Sequence, residues 1–157
     1  MKSIRLPLSV QVFLVRIIDG QRSYLLFQRN ARPELGLPDF WQGVSGALEA
    51  GESFSDAARR EVAEETGIIL TSVVDTGFQR SYPIRSEWRR HYGPEPSEVI
   101  EHIFFAEVQD ATEPVLSQEH KSWQWCSVAE ASGLLTFGYN SQCLLAVDRC
   151  LTKSPNK

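Results

Sequence analysis

Residues 46–68, with the sequence GALEAGESFSDAARREVAEETGI, constrain the fold of this chain more than any other segment. Ser53 is a candidate N-cap, because its hydroxyl can accept a hydrogen bond from a free N–H group of the first helical turn. Asp56 places a negative charge in that turn, where the helix dipole favours it. Gly67 is a typical residue just past a helix C-terminus. The pattern therefore predicts a helix over Ser53–Thr66.

Acidic residues are concentrated on this helix and on the loop that precedes it. Six of the 20 acidic residues fall within 17 positions: Glu49, Glu52, Asp56, Glu61, Glu64 and Glu65. The last three stand at i, i+3 and i+4, which places them within an arc of about 100° on one helix face. This spacing fits either a solvated face with an Arg60–Glu64 ion pair or a site for a hard divalent cation such as Mg²⁺. No lysine lies among the three carboxylates, and this favours the cation site.

The rest of the chain is predicted to form strands, turns and one further helix. Apolar residues recur at every second position from Leu8 to Leu14, which is the period of a strand. Asp19-Gly20 is a turn signal that indicates a hairpin. The predicted strands are Leu8–Leu14, Tyr24–Phe27, Trp41–Ser45, Val73–Tyr82, Val99–Val108 and Ser122–Ser127, with a second helix at Ser141–Leu151 and loops at Ala31–Phe40 and Arg85–Ser97. This order implies an α/β sandwich with a mixed sheet, in a single domain over residues 1–157.

Composition excludes several classes of protein. Hydrophobic residues make up 42% and charged residues 23% of the 157 residues, which is typical of a soluble globular domain and argues against a disordered chain or a membrane protein. The net charge of −4 argues against duplex nucleic acid as a partner. Three cysteines without a CxxC pair fit a reducing compartment, and no targeting segment is visible. We therefore expect a cytoplasmic protein.

The spacing within residues 46–68 matches a known signature at every specified position. Gly46 is followed after five residues by Glu52, and after seven more by the run REVAEETGI over residues 60–68. This pattern resembles the signature of the Nudix hydrolases. The resemblance implies an α/β/α sandwich with a mixed β-sheet between helices. It also implies hydrolysis of a nucleoside diphosphate linked to another group, with Mg²⁺ or Mn²⁺ and an attacking water.

The same resemblance assigns roles to individual residues. It makes Glu61, Glu64 and Glu65 the metal ligands, with the carbonyl of Gly46 as an additional ligand. Arg60 is expected to hold the loop and the helix together through a charge-assisted hydrogen bond to Glu52. Glu119 precedes a strand where the family often supplies a late glutamate, either as a metal ligand or as the general base. We therefore expect Glu61, Glu64, Glu119 and Arg60 to form the catalytic set.

Outside the signature, five segments resemble bacterial dihydroneopterin triphosphate pyrophosphatases. These segments are Phe27–Arg29, Pro38–Gln42, Glu119–His120, Trp123–Trp125 and Asn140–Gln142. Three residues gain candidate roles in substrate binding, each beside a structural alternative. Arg29 could hold a phosphate through its planar fork or be a surface charge. Trp41 could stack on a heterocycle or belong to the core. Arg89, in the basic cluster Arg85–His91, could close over a triphosphate or lie on a solvated loop.

These observations predict an enzyme that cleaves a nucleoside triphosphate or dihydroneopterin triphosphate to the monophosphate and pyrophosphate. A dinucleoside polyphosphate or a nucleotide sugar remains an alternative substrate, because the signature residues do not recognise the group beyond the phosphates. A domain that senses a nucleotide without cleaving it is the alternative from another class. We expect a small pyrophosphate-containing molecule as partner, no duplex nucleic acid, no membrane, and a monomer or a homodimer.

Overall fold

The computed structural model describes residues 4–109, 113–137 and 139–153. In these residues the strands are β1 (Leu8–Ile18), β2 (Gln21–Arg29), β3 (Phe40–Gln42), β4 (Val44–Ala47), β5 (Val74–Pro83), β6 (Glu98–Glu107) and β7 (His120–Cys126). The helices are α1 (Phe54–Thr66), α2 (Arg89–Tyr92), α3 (Val128–Leu134) and α4 (Asn140–Lys153), and 3₁₀ turns cover Pro33–Leu35 and Ser86–Trp88.

Strand β1 lies at the centre of a mixed sheet with the order β3-β2-β1-β6-β5. It forms the predicted hairpin with β2, and Asp19 and Gly20 in the turn have positive φ angles of 52° and 77°. Residues 8–15 of β1 pair in parallel with β6 along one edge. The other edge is divided, because residues 14–18 pair with β2 whereas residues 9–12 pair with β4. This division separates β4 from β2 and brings β4 into contact with α1.

Each face of the sheet carries its own apolar core. On one face, Val10, Val12 and Leu14 pack with Ala58 and Val62 of α1. On the other face, α3 and α4 cover a second cluster that includes Phe13, Val15, Leu26, Leu144 and Val147. Because helices cover both faces, β1 is buried continuously over residues 9–15 and does not alternate between buried and exposed positions. The predicted α/β/α sandwich is therefore confirmed.

Helix α1 begins and ends where its sequence signals predict. The backbone N–H of Asp56 donates to Oγ of Ser53 at 3.0 Å, so Ser53 is the N-cap. Gly67 has a φ of 76° and its N–H donates to the carbonyl of Ala63, which closes the C-terminus. Across the described ranges, no helix is both long and apolar enough to cross a membrane.

The strand predicted over Trp41–Ser45 is in fact two short strands separated by Gly43. A Cβ atom at Gly43 would lie 2.6 Å from the carbonyl oxygen of Val12, so only glycine allows the chain to approach β1 this closely. The N–H of Gly43 donates to Oε1 of the buried Gln11 side chain at 2.9 Å. This contact turns the chain from the β2 edge to the β1 edge, which a pattern of apolar residues does not reveal.

Helices α2 and α3 were not predicted. The loop predicted over Arg85–Ser97 contains a 3₁₀ turn and α2, because Tyr92 packs with Ile84 and Val99 in a small apolar cluster. Helix α3 begins at a capping box, in which Oγ of Ser127 accepts from the N–H of Glu130 and the Glu130 carboxylate accepts from the N–H of Ser127. That Ser-x-x-Glu pattern is the signal in the sequence by which α3 could have been found.

The packing of α4 leads to a prediction about two neighbouring leucines. Leu144 is fully buried in the second core, whereas Leu145 is 42% exposed. We expect Leu144→Ala to lower the free energy of unfolding by about 2–5 kcal/mol, because it removes buried methyl groups and leaves a cavity. The matched control Leu145→Ala should change it by less than about 0.5 kcal/mol. Urea denaturation measures both, and equal effects would contradict the assignment of the buried face.

Candidate active site

A cavity of about 1070 Å³ lies beside α1. Its walls come from the start of the described chain, the end of β2 and the turn after it, β4, α1, β5 and the start of α4. Most of the predicted site residues line it: Arg29, Gly46, Arg60, Glu61, Glu64, Glu65 and Glu119. Trp41 and Arg89, which the structure also describes, do not line the cavity.

Arg60 connects the loop before α1 to the helix itself. Its Nε and Nη2 donate to the two carboxylate oxygens of Glu52 at 2.6 and 3.0 Å, and Nη2 also donates to the carbonyl of Ala47 at 2.9 Å. Its Nη1 donates to Glu61 at 3.0 Å and to Glu64 at 3.1 Å. The hydrogen bond from Arg60 lowers the pKa of Glu52. The predicted contact between Arg60 and Glu52 is thus present, and Arg60 contacts two further acids of the signature.

Gly46 provides a recess for the carboxylate of Glu61. A Cβ atom at Gly46 would lie 2.1 Å from the carboxyl carbon of Glu61, so any other residue would displace that side chain. The carbonyl of Gly46 accepts a hydrogen bond from Oγ of Ser9 at 2.9 Å. Burial raises the pKa of Glu61 to about 7, although Arg60 opposes this shift. Glu61 is therefore held in a close-fitting, weakly solvated position.

Glu65 and Glu119 form the other half of the acidic wall. Glu65 is buried, accepts a hydrogen bond from Oγ of Ser117, and shares a hydrogen bond with Glu119. Burial raises the pKa of Glu65. Burial also opposes ionisation of Glu119, but the hydrogen bonds with Glu65 and Arg29 lower the pKa of Glu119. Nη2 of Arg29 lies 2.7 Å from Glu119, and Nδ1 of the buried His120 lies 3.5 Å from Glu65.

The donor set fits a hard divalent cation. The proposed side-chain ligands offer only carboxylate oxygens, and two of these acids are buried. The recess at Gly46 holds the carboxylate of Glu61 against the backbone of β4. In the described part of the chain, however, no three His, Cys, Asp or Glu side chains are grouped closely enough to form a metal-binding cluster. The Arg60 guanidinium instead contacts both Glu61 and Glu64.

A buried polar network forms the opposite wall of the cavity. Glu101 is 2% exposed and accepts a hydrogen bond from Nε of Arg80 at 2.7 Å. Oδ1 of Asn140 accepts from Arg80 at 2.8 Å and from the buried Gln11 side chain at 3.3 Å. Sequence reasoning did not assign roles to Arg80 or Glu101. The available signal for Glu101 is an acidic residue inside a predominantly apolar predicted strand.

Aromatic side chains surround this polar network. The rings of Phe40 and Phe137 stack with their centroids 4.6 Å apart, and Phe78 and Tyr139 also line the cavity. Aromatic walls with a few buried polar groups are typical of sites for small molecules that contain a ring. This end of the cavity therefore differs in chemistry from the acidic wall.

Trp41 and Arg89 do not have the surroundings expected of substrate-binding residues. Trp41 packs against the apolar core under α3 and α4, and only its backbone carbonyl faces the site, where it accepts from Asn140 at 3.2 Å. The guanidinium of Arg89 donates to the carbonyls of Gly93 and Pro96 and closes its own loop. The geometry therefore agrees with a core position for Trp41 and with a position on the loop, away from the cavity, for Arg89.

The raised pKa of Glu61 predicts a pH-dependent stability of the metal-free protein. A carboxyl group whose pKa rises from 4.5 to about 7 on folding stabilises the fold below pH 4.5. This stabilisation is lost as the pH rises towards 7, because the folded state then binds more protons than the unfolded state. In EDTA, the free energy of unfolding of the wild type minus that of Glu61→Gln should therefore decrease as the pH rises from 4.5 to 7.

Two features of this experiment isolate Glu61. Burial lowers the pKa of His120 to about 4, which gives the opposite slope at acid pH, but this contribution cancels between the two proteins. Asp56→Asn removes an acid from the same helix outside the cavity and should keep the wild-type pH profile. Urea denaturation at a series of pH values provides the measurement. A pH-independent difference between wild type and Glu61→Gln would contradict the prediction.

Comparison with known proteins supports the resemblance. The chain is 35% identical over 98 residues to the dihydroneopterin triphosphate diphosphatase of Haemophilus influenzae, an alignment that covers 60% of this chain and 61% of that protein. It is 29% identical over 139 residues to the Escherichia coli K12 protein of the same name, covering 86% of this chain and 89% of that protein. The solved structure of the E. coli dihydroneopterin triphosphate pyrophosphohydrolase superposes with a TM-score of 0.74 at 27% identity, covering 94% of this chain and 99% of that one.

The family that the signature indicates is confirmed over most of the chain. Residues 7–145 match the NUDIX domain, which extends well beyond the signature at residues 46–68. The predicted similarity to dihydroneopterin triphosphate pyrophosphatases is confirmed by the relatives of that name. The chain belongs to the NUDIX family.

Proposed function

We propose that this chain is a divalent-metal-dependent pyrophosphohydrolase that cleaves dihydroneopterin triphosphate to the monophosphate and pyrophosphate. The observation that carries the proposal is the acidic wall, in which Glu61, Glu64, Glu65 and Glu119 meet in one cavity beside Arg29. Four carboxylates in one cavity, two of them buried, repel one another unless a cation or protons neutralise them. The names of the relatives support the substrate.

Glu61, Glu64 and Glu65, with the carbonyl of Gly46, are the proposed ligands of Mg²⁺ or Mn²⁺. When bound, the metal would neutralise phosphate charge and lower the pKa of the attacking water. Of these carboxylates, Nη1 of Arg60 contacts only Oε2 of Glu61 and Oε1 of Glu64, so the other oxygen of each could bind the metal. The bidentate contact of Arg60 with Glu52 can persist, since it uses the other nitrogens, Nε and Nη2. Arg60 would then continue to hold the loop against α1 while two carboxylates turn to the metal.

Glu119 is the proposed general base or additional ligand. Its low pKa keeps the carboxylate ionised, so it can accept a proton from water or bind a cation. Arg29 fixes its orientation through the 2.7 Å contact and at the same time faces the cavity. His120 is a less suitable base, because its side chain is 1% exposed and does not line the cavity.

The aromatic end of the cavity is the proposed site for the pterin ring. Phe40 and Phe137 offer faces for stacking, and Asn140 offers an amide that can read the edge of a heterocycle by hydrogen bonds. This placement puts the scissile phosphates over the acidic wall. Arg29 remains a proposed phosphate contact, whereas Trp41 and Arg89 are replaced in the proposed substrate-binding set by these cavity-lining residues.

We propose that the enzyme works in the cytoplasm. The three cysteines are free thiols, and Cys126 and Cys143 are buried. Unpaired buried thiols are typical of a reducing compartment.

The metal site is tested by Glu64→Gln. This change removes one proposed charged ligand but keeps the shape of the side chain, which is 55% exposed and contacts Arg60. We expect kcat/KM to fall by at least about a hundredfold, because the metal loses charge-stabilising contacts. The melting temperature in EDTA should be unchanged or slightly higher, since like charges on α1 are reduced.

Asp56→Asn is the matched control for this variant. Asp56 lies on the same helix, is also 55% exposed and pairs with Arg59, but does not line the cavity. Its activity should remain close to that of the wild type. Normal turnover in Glu64→Gln, or unfolding of that variant, would show that the acids of α1 are structural.

The substrate is tested with a panel assayed in Mg²⁺, with phosphate and pyrophosphate release measured separately. Dihydroneopterin triphosphate should be preferred over GTP and dATP by roughly tenfold or more in kcat/KM, because a site that binds the open hydroxylated chain leaves polar groups unpaired with ribose. Pyrophosphate should be the released product. Equal or better cleavage of GTP, a dinucleoside tetraphosphate or a nucleotide sugar would contradict the pterin assignment, and binding without cleavage would contradict the enzyme.

A further inference from the structure

Three arginines meet at one side of the cavity, beyond the acidic wall. Arg29 comes from the end of β2, Arg32 from the turn that follows, and Arg5 from the segment before β1. All three line the cavity, and both Arg29 and Arg5 are close enough to Arg32 to act on its charge. The fold therefore brings like charges together from two separate parts of the chain. The repulsion between these guanidinium groups destabilises the fold unless another group compensates it.

These arginines lack enough acidic partners. Across the described residues, the side chains of Arg5 and Arg32 have no carboxylate within 4.0 Å, and Arg29 has only Glu119. The Nε groups of both Arg29 and Arg32 are buried without a hydrogen-bond partner there. Burial and the nearby Arg29 and Arg5 lower the pKa of Arg32 to about 10. A half-buried guanidinium with too few hydrogen-bond acceptors destabilises the fold, and a bound anion would supply the missing acceptors.

The other arginines of the cavity are already paired. Arg80 contacts Glu101 at 2.7 Å, Arg60 contacts Glu52 at 2.6 Å, and Arg85 contacts Glu87 at 3.3 Å. The shortage of partners thus concerns Arg5, Arg32 and the buried Nε of Arg29, and is not a general property of the cavity.

The backbone holds this cluster in place. The N–H of Arg32 donates to the carbonyl of Leu37 at 2.8 Å, and the N–H of Leu37 donates back to the carbonyl of Arg32 at 3.1 Å. The N–H of Arg5 donates to the carbonyl of His91 at 2.7 Å, and the guanidinium of Arg5 lies 5.9 Å from the ring centre of Tyr92. The turn after β2 and the segment before β1 are therefore anchored by paired backbone groups.

The neighbours of the arginines indicate which anion belongs there. Glu119 shares a hydrogen bond with Glu65 and contacts Arg29, so the arginines adjoin the acidic wall. Phe40 lies opposite Arg29 in the pairing of β2 with β3 and stacks with Phe137, so the arginines adjoin the aromatic residues as well. A triphosphate with its scissile phosphates at the acidic wall and its ring at these aromatic residues would keep its remaining phosphates within reach of the arginines.

We propose that Arg5, Arg29 and Arg32 form a subsite for the two distal phosphates of a triphosphate, and that this subsite retains the pyrophosphate product. The identity of the ligand rests on the proposed function. The subsite itself is a binding site for a polyphosphate anion, and this can be measured without turnover. It would favour triphosphates over compounds that carry only one or two phosphates.

The first experiment measures binding of inorganic pyrophosphate in EDTA, where no metal can link the anion to the carboxylates. Isothermal titration and the melting temperature are recorded for the wild type and for Arg32→Gln. We expect pyrophosphate to bind the wild type and raise its melting temperature, and Arg32→Gln to weaken binding by about ten- to hundredfold, the range for a charge-assisted hydrogen bond. Without ligand, Arg32→Gln should melt at the wild-type temperature or above, because a repelled cation is removed.

Two further variants complete this experiment. Arg5→Gln changes an exposed side chain, so it tests the subsite even if Arg32→Gln does not fold, and it should weaken pyrophosphate binding by about threefold or more. Arg22→Gln is the charge-matched control, since Arg22 lies on β2 but pairs with Asp148 outside the cavity. It should bind pyrophosphate as the wild type does. Equal weakening in all three variants would reduce the effect to net charge and overturn the proposal.

The second experiment separates this subsite from the proposed function. With Mg²⁺ and dihydroneopterin triphosphate, Arg32→Gln should raise KM and the inhibition constant of pyrophosphate by about tenfold or more, with a smaller change in kcat and in inhibition by the monophosphate product. If the wild type hydrolyses the substrate but Arg32→Gln keeps its KM and pyrophosphate inhibition, the subsite is wrong and the proposed function stands. If the wild type does not hydrolyse it but Arg32→Gln loses pyrophosphate binding in EDTA, the subsite stands and the proposed function is wrong.

Discussion

The guanidinium of Arg60 holds together the two chain segments from which the acidic wall is built. It binds both oxygens of Glu52 in the loop and the carbonyl of Ala47 at the end of β4, while its own backbone belongs to α1. Its side chain is only 20% exposed, so these charge-assisted hydrogen bonds are partly shielded from water and are stronger than those of a surface pair. The position of β4 relative to α1, and hence of Gly46 relative to Glu61, follows from this contact.

The same guanidinium limits what the acidic wall can do. Arg60 neutralises part of the charge on Glu61 and Glu64, which lets these side chains stand close together without a metal. A divalent cation would act on the same two carboxylates and carries twice the charge of Arg60. The acidic wall can therefore be neutralised by two cations, of which one belongs to the chain and the other has to be supplied.

Charges of both signs are concentrated in this cavity at a cost to stability. Burial raises the pKa of Glu61 and Glu65 at one side, whereas Arg32 lies among like charges at the other. The two apolar cores on either side of the sheet stabilise the fold and offset this cost. Arrangements that weaken a fold but preorganise a binding site are typical of functional sites.

Local signals predicted the local parts of this structure. The caps of α1 at Ser53 and Gly67 and the turn at Asp19 were predicted correctly, because each depends on residues a few positions apart. The prediction of one continuous strand over Trp41–Ser45 was wrong, since the break at Gly43 depends on the approach of a distant carbonyl of β1. The core position of Trp41 and the loop-closing contacts of Arg89 also depend on tertiary packing, which leaves no periodic pattern in the sequence.

The spacing of Glu61, Glu64 and Glu65 by itself determined that three carboxylates share one helix face, because helix geometry depends only on local spacing. Only the tertiary structure decided what meets that face. The antiparallel pairing of β2 with β7 places Arg29 opposite His120, and thereby brings Arg29 within 2.7 Å of Glu119, 90 residues away. The pairing of β5 with β6 likewise sets Arg80 against Glu101. Such contacts are set by strand register, which the packing of whole sheet faces selects and no short segment of sequence encodes.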